Sequence, residues 1–154
     1  MPYISNTLTP DLSVVIPCYN EACGISELQS RLVQCLNRRE GVWEVIFVDD
    51  GSEDGTFDEL VQIHRKDYRF KLARLSRNFG QQAAICAGLC YSTGRVVTIM
   101  DADMQDPPEL LDDCLKKVNE GCDVVYMVRR KRKEGVLKRA AYRSFYWIFD
   151  LLSE

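Results

Sequence analysis

VVTIMDADMQDPPE, residues 96–109, decides the fold class. Its first five residues are apolar and rich in β-branched side chains, the pattern of a buried strand. Two carboxylates, Asp101 and Asp103, follow one residue apart, and Pro107-Pro108 then turns the chain. Acids at the carboxyl end of a parallel strand sit where open α/β sheets bind ligands. Paired carboxylates repel unless something positive lies between them, most simply a divalent cation held by oxygen atoms, and such a cation also grips phosphates. Taken alone, D-x-D equally describes a strand end whose solvated acids open a helix. The rest of the chain chooses between these readings.

Outward from this stretch, apolar runs alternate with helical spacing. Residues 12–17 (LSVVIP), 43–48 (WEVIFV), 70–75 and 122–128 (CDVVYMV) predict further strands. Residues 21–39, 56–65, 82–91 and 108–119 predict helices, the last with proline at its start and Gly121 past its end. Short connections between alternating elements predict βαβ units: an α/β, Rossmann-like three-layer domain with a mostly parallel central sheet. The expected organisation is a loose lead-in over residues 1–11, this domain over residues 12–128, and a separate segment over residues 129–154. That last segment opens on Arg129-Arg130-Lys131-Arg132-Lys133 and continues, over residues 136–152, into an amphipathic helix rich in aromatics. It suits docking on the sheet and lying in a membrane interface equally well.

The chain has 154 residues, enough for one domain with a sizeable core. No apolar stretch approaches the ~18 residues that span a bilayer, and no signal peptide opens the sequence. Its seven cysteines are odd in number and lack a C-x-x-C pair, so reduced core thiols of a cytosolic protein are expected rather than disulfides or zinc. The single histidine, His64, lies at a polar helix end and is expected at the surface. The net charge of −3 hides an asymmetry: residues 129–154 hold eight of the 20 Lys and Arg but only three of the 23 Asp and Glu. A basic tail of this kind neutralises a pyrophosphate or meets an anionic membrane surface, while the acidic remainder opposes nucleic-acid binding.

If the sheet is parallel, three acidic loops meet on one edge: Tyr19-Asn20-Glu21, the run from Asp49 to Thr56, and Asp101-Ala102-Asp103. A carboxylate at Asp50 can accept the imide N–H of uracil or N–H groups of guanine. Tyr19 can line the base, and Glu21 can reach ribose hydroxyls. Ser52 and Asp54 are also good N-cap residues, so part of the second loop is expected to cap a helix.

SVVIPCYNE (residues 13–21), EVIFVDDGSEDGT (44–56), LSRNFGQQAA (75–84) and MDADMQDPPE (100–109) resemble, in order, the signatures of family 2 glycosyltransferases, in particular the polyprenyl-phosphate branch. The resemblance covers roughly residues 12–150. It implies a GT-A fold and a nucleotide-sugar donor, UDP favoured over GDP. It places Pro17, Tyr19, Glu21 and Asp50 on the nucleoside, Asp101 and Ala102 on ribose and phosphate, and Arg129 near the donor phosphates. Asp103 with Gln105 would hold Mg²⁺ or Mn²⁺, making Asp101 and Asp103 the catalytic acids. Arg77 and Asn78 fall on the sugar or acceptor side. In many relatives a lysine follows Gly80, where this chain has Gln81.

The resemblance also implies inverting transfer to a polyprenyl phosphate at the cytoplasmic face of the membrane, with the protein bound peripherally. A phosphate monoester has its second pKa near ~6, so it is already nucleophilic and needs no strong base. The rival from another class is a truncated, catalytically incomplete module that holds nucleotide or lies on a membrane. Assembly into a homo-oligomer stays open. A phospho-receiver would need a lysine after the fifth strand that is absent before the basic run. Dehydrogenase and P-loop readings lack G-x-G-x-x-G and G-K-[ST].

Overall fold

A computed structural model describes residues 9–105 and 107–128. Strands and helices alternate as β1 (Leu12–Cys18), α1 (Ala22–Leu36), β2 (Trp43–Asp49), α2 (Thr56–Lys66), β3 (Phe70–Arg74), α3 (Gln81–Tyr91) and β4 (Val96–Ile99). A single 3-10 turn, Pro108–Leu110, then leads into α4 (Leu111–Asn119). All strand pairs are parallel and the order is β3-β2-β1-β4. The chain divides into two compact units, Met1–Asp112 and Asp113–Glu154, and the sheet lies in the first.

Every residue of β1 and β2 is buried, because both faces of these central strands are covered. One face packs Val15, Ile46 and Val48 against Ala84, with Ala73, Leu75 and Ala87 around them. Side chains alternate across a strand, so Val14, Ile16, Val45 and Phe47 belong to the other face. There Phe47 stacks on Phe70 at 5.9 Å between ring centroids, and Trp43 meets Phe70 edge-on at 5.6 Å. Helices α1 and α2 pack on one another and bury Ile25, Leu28, Leu32, Leu36, Leu60 and Ile63.

Helix α3 approaches the sheet through a glycine. A Cβ on Gly88 would stand 2.3 Å from Val15 Cγ1 and 3.2 Å from Val48 Cγ2. Gly88→Ala gains roughly 0.5–1 kcal/mol of helix propensity, but overpacking a tight core costs about 1–3 kcal/mol. A net loss of about 1–2 kcal/mol in a urea melt is expected, whereas a neutral or stabilised variant would show that α3 lifts freely.

Three sequence expectations are corrected. Residues 122–128 form no strand and have no ladder partner among the described residues, with Val124 80% and Tyr126 81% exposed. Apolar alternation supplies a strand's side chains but not the neighbouring edge that satisfies its backbone. In the same unit, α4 ends as expected at Gly121, whose N–H donates to Val118 O while Cys122 N–H reaches Lys117 O. β4 is not the buried strand expected; among the described strands it lies at the edge beside β1 and is alternately half-exposed, Val97 and Ile99 facing out. The thiols differ too. All seven are unpaired, but only Cys18 and Cys35 are buried, and Cys23, Cys86, Cys90 and Cys122 are exposed. His64 is exposed as expected, its Nδ1 lying 2.6 Å from Phe70 O. The expected helix over residues 136–152 and the basic run before it lie outside the described residues.

Candidate active site

Strands β2 and β3 add successively to one side of β1, and β4 adds to the other, so the order reverses between β1 and β4. Ligand crevices form at such a reversal, outside the carboxyl ends of the strands. The ladder between β1 and β4 stops at Val15–Ile99, while that between β1 and β2 continues to Cys18–Asp49. The chain leaving β4 therefore departs from β1 early and leaves a gap. A cleft of about 400 Å³ occupies this end of the sheet. Pro17, Cys18, Tyr19 and Glu21 line it from β1, Asp50 from β2, and Asp101, Ala102 and Asp103 from β4. Asn78, Gly80 and Gln81 close it from the start of α3.

The loops that carry these residues are tied to one another. Asn20, with φ of 56°, donates its N–H to Ser52 Oγ at 3.0 Å and accepts the Glu53 N–H on its side chain at 2.9 Å. Glu21 N–H reaches Thr56 Oγ1 at 2.8 Å, and Ala22 N–H reaches Asp54 Oδ2 at 3.1 Å. The start of α1 is thus capped from the neighbouring loop. Asp54 serves both helices, since its Oδ1 also accepts the N–H of Thr56 at 3.0 Å at the start of α2, while Gly55 stands at the N-cap position.

The two consecutive aspartates after β2 part ways. Asp49 is fully buried, accepts Ser52 N–H and lies 3.1 Å from Arg74 Nε, which makes it part of the scaffold. Asp50 lines the cleft and accepts two backbone N–H groups, from Phe79 on Oδ1 and from Gly80 on Oδ2, each at 2.8 Å. Across the cleft, Asp101 Oδ1 accepts Gln81 Nε2 at 2.7 Å. Asp103 Oδ1 accepts the N–H of Gln105 at 3.0 Å, and Met104 between them has φ of 57°.

No arginine, lysine or histidine lines this cleft among the described residues. Burial, and then the charges of Asp103 and Asp54, push the Glu21 carboxyl above its ordinary value. Burial, Asp49 and Glu21 push the Cys18 thiol far up as well. A thiol held protonated is a poor nucleophile.

Among the described residues no three Asp, Glu, His or Cys side chains converge into a ready-made metal cage. Magnesium-type cations commonly take one or two carboxylates and complete their shell with substrate phosphates and water. Asp103 and Gln105 offer hard oxygen donors on an exposed loop, which suits that arrangement.

The structure thus brings Pro17, Tyr19, Glu21, Asp50, Asn78, Asp101, Ala102 and Asp103 together around one cleft. Arg77 and Gln105 do not line it, and Arg129 lies outside the described residues. Gln81 does line it. Its position immediately after the glycine that opens α3 was the available signal.

The model of the family described as Glycosyl transferase family 2 matches residues 13–152. A relative described as an uncharacterized glycosyltransferase of Synechocystis sp. is 39% identical over 148 residues, covering 96% of this chain and 46% of the relative. The undecaprenyl-phosphate 4-deoxy-4-formamido-L-arabinose transferase of Salmonella choleraesuis is 37% identical over 131 residues, 84% of this chain and 40% of that protein. The chain therefore spans less than half the length of these curated relatives. Among solved structures, the mannosyltransferase PcManGT of Pyrobaculum calidifontis, in complex with GDP-Man and Mn²⁺, superposes with a TM-score of 0.62 at 26% identity. That likeness covers 80% of this chain and 37% of the mannosyltransferase.

Proposed function

We propose, from the premise that this chain belongs to glycosyl transferase family 2, that its cleft takes a nucleotide sugar with a divalent cation and serves transfer of the sugar to a polyprenyl phosphate. The observation that carries this reading is the meeting of acids from three strand ends in a cleft with no cationic side chain among its described lining residues. A diphosphate is a poor ligand for such a surface unless a cation enters with it. Relatives add weight: one is described as acting on undecaprenyl phosphate, and a structural neighbour holds GDP-Man with Mn²⁺.

In this reading Pro17, Tyr19 and Glu21 hold the nucleoside, with Asp50 on the base. Each Asp50 oxygen already accepts one backbone N–H, so it has limited capacity left. The single imide N–H of uracil asks for one acceptor, whereas guanine presents adjacent donors, and UDP is favoured over GDP. Asp101 and Ala102 meet ribose and phosphate, Asp103 with Gln105 holds Mg²⁺ or Mn²⁺, and Arg129 supports the phosphates. When bound, the cation stabilises charge developing on the departing diphosphate. Arg77 and Asn78 belong to the sugar or acceptor side.

The acceptor phosphate is itself nucleophilic at neutral pH, which supports direct displacement with inversion at the sugar. A lipid acceptor places the protein peripherally at the cytoplasmic face of a membrane; among the described residues no helix is long and apolar enough to cross one.

A thermal-shift panel of UDP and GDP sugars, with Mn²⁺ or with EDTA, tests the reading. Ligand at ~100 times its Kd stabilises by about 2.7 kcal/mol, which moves the melting temperature by several degrees. A shift requiring both UDP sugar and Mn²⁺ is expected. A flat panel rejects donor binding, and a shift without turnover on a polyprenyl phosphate favours the module that only holds nucleotide.

A further inference from the structure

We infer that Asp50 seats the loop of residues 77–80 and, through it, sets Gln81 on Asp101, so that one hydrogen-bonded strap fixes the cleft across the strand-order reversal. The inference deepens the nucleotide-binding reading and rests on it for its ligand.

The strap has three joints. At the first, the nearly buried Asp50 carboxylate accepts Phe79 N–H and Gly80 N–H at 2.8 Å each. A carboxylate gripping two adjacent backbone amides fixes both the position and the tilt of the peptide it holds. At the second, the chain beside Gly51 comes so close that no side chain fits. A Cβ there would lie 2.5 Å from Arg77 C and 2.7 Å from Asn78 N, and Gly51 has φ of +72°. At the third, α3 begins directly after the held peptide, and Gln81 Nε2 donates to Asp101 Oδ1 at 2.7 Å. Gly80, with φ of 94° and ψ of 156°, makes the corner in a region open essentially to glycine alone.

Asp50 is therefore a positioning residue as well as a candidate for the base. Its grip sets the wall formed by Asn78, Gly80 and Gln81. The far end of the strap is neutral: an amide orients Asp101 without cancelling its charge, so the acid keeps its attraction for a cation that arrives with a diphosphate. A lysine at this position would instead pair with Asp101 and satisfy part of the site's demand for positive charge.

The test uses Gly51→Ala, Asp50→Asn and Gln81→Ala in the full chain, read by amide hydrogen exchange without nucleotide and by calorimetry with UDP and Mn²⁺. Gly51→Ala alters no ligand-binding group, yet it should speed exchange at Phe79 and Gly80 by at least about 10-fold while Val14 to Ile16 stay protected. Its affinity for UDP should fall by at least about 10-fold, since misplacing a site by ~1 Å is enough for such losses. Asp50→Asn keeps one acceptor oxygen and should release one of the two amides. Gln81→Ala should leave both protected and weaken UDP binding a few-fold.

Wild-type affinity in a Gly51→Ala protein whose loop amides exchange freely would overturn the inference. So would unchanged exchange at both amides in Asp50→Asn. Global loss of protection in Gly51→Ala transfers the decision to Asp50→Asn, which introduces no backbone clash. If the wild-type chain binds neither UDP nor GDP, the proposed function fails, and the exchange data still decide the strap by themselves.

Discussion

Asp103→Asn is expected to remove the cation-dependent part of nucleotide-sugar binding while leaving the protein folded. The side chain is exposed, and its assigned bond within the chain is acceptance of the Gln105 N–H. The asparagine carbonyl oxygen can accept that same N–H, so the turn through Met104 survives. What disappears is the negative charge beside Glu21, whose carboxyl is pushed up by burial and then by Asp103. Losing a residue that merely supports a metal ligand costs 10- to 100-fold in affinity, so losing the ligand should cost at least about 100-fold. Calorimetry with a UDP sugar decides it. The wild type should bind with Mn²⁺ and lose affinity in EDTA, while the variant should sit at the EDTA level in both buffers. Equal affinity of variant and wild type in Mn²⁺ would remove Asp103 from the metal site.

The sequence exposes some layers of this site better than others, for physical reasons. LSVVIP and WEVIFV are legible because strands covered on both faces must be continuously apolar, which also locates where the chain emerges with its acids. Three of the acidic loops could be assigned to one edge on that ground alone. The hydrophobic runs do not say which strand neighbours which, so β4 was read as a buried strand and stands half-exposed at the edge of the described sheet. Residues 122–128 show the same limit, since the pattern of a strand is present without a partner among the described residues. Roles that depend on distant backbone were hidden altogether. Nothing near Asp50 announces that it holds amides 29 and 30 residues away, and nothing near Asp54 announces that it caps α1 as well as α2.

The second large effect is expected at the opposite end of the sheet, far from any ligand chemistry. Glu44 is buried on β2, and its Oε1 accepts Ser13 Oγ at 2.6 Å, Thr93 N–H at 2.8 Å and Thr93 Oγ1 at 3.0 Å. Ser13 Oγ in turn accepts Gly94 N–H at 2.8 Å, and Lys71 Nζ sits 2.5 Å from Glu44 Oε2. One carboxylate thus joins β1, β2, β3 and the turn into β4. Glu44→Ala strands the fully buried Ser13 hydroxyl, while the exposed Thr93 can turn its donors to water, and a net loss of about 1–3 kcal/mol is expected. The half-exposed Lys71 turns to water and adds little.

Glu44→Gln separates charge from shape. Its carbonyl can keep all three bonds made to Oε1, with the amide nitrogen facing Lys71, so it should retain most of the stability near neutral pH. The difference appears in acid. Burial pushes the Glu44 carboxyl up, but Lys71, Ser13 and Thr93 outweigh it and hold the group below its ordinary value. A carboxyl lowered in the folded state contributes stability that is complete above its unfolded pKa, about 4.3, and is lost as pH falls through the folded value. Asp54, Asp67 and Glu109 are lowered as well and titrate in both proteins, so the wild type minus the glutamine variant isolates Glu44. That difference should be steady from about pH 7 to 5 and should shrink steadily below about pH 4.3. A difference independent of pH would show that the charge on Glu44 contributes nothing and that its oxygens alone join the three strands and the turn into β4.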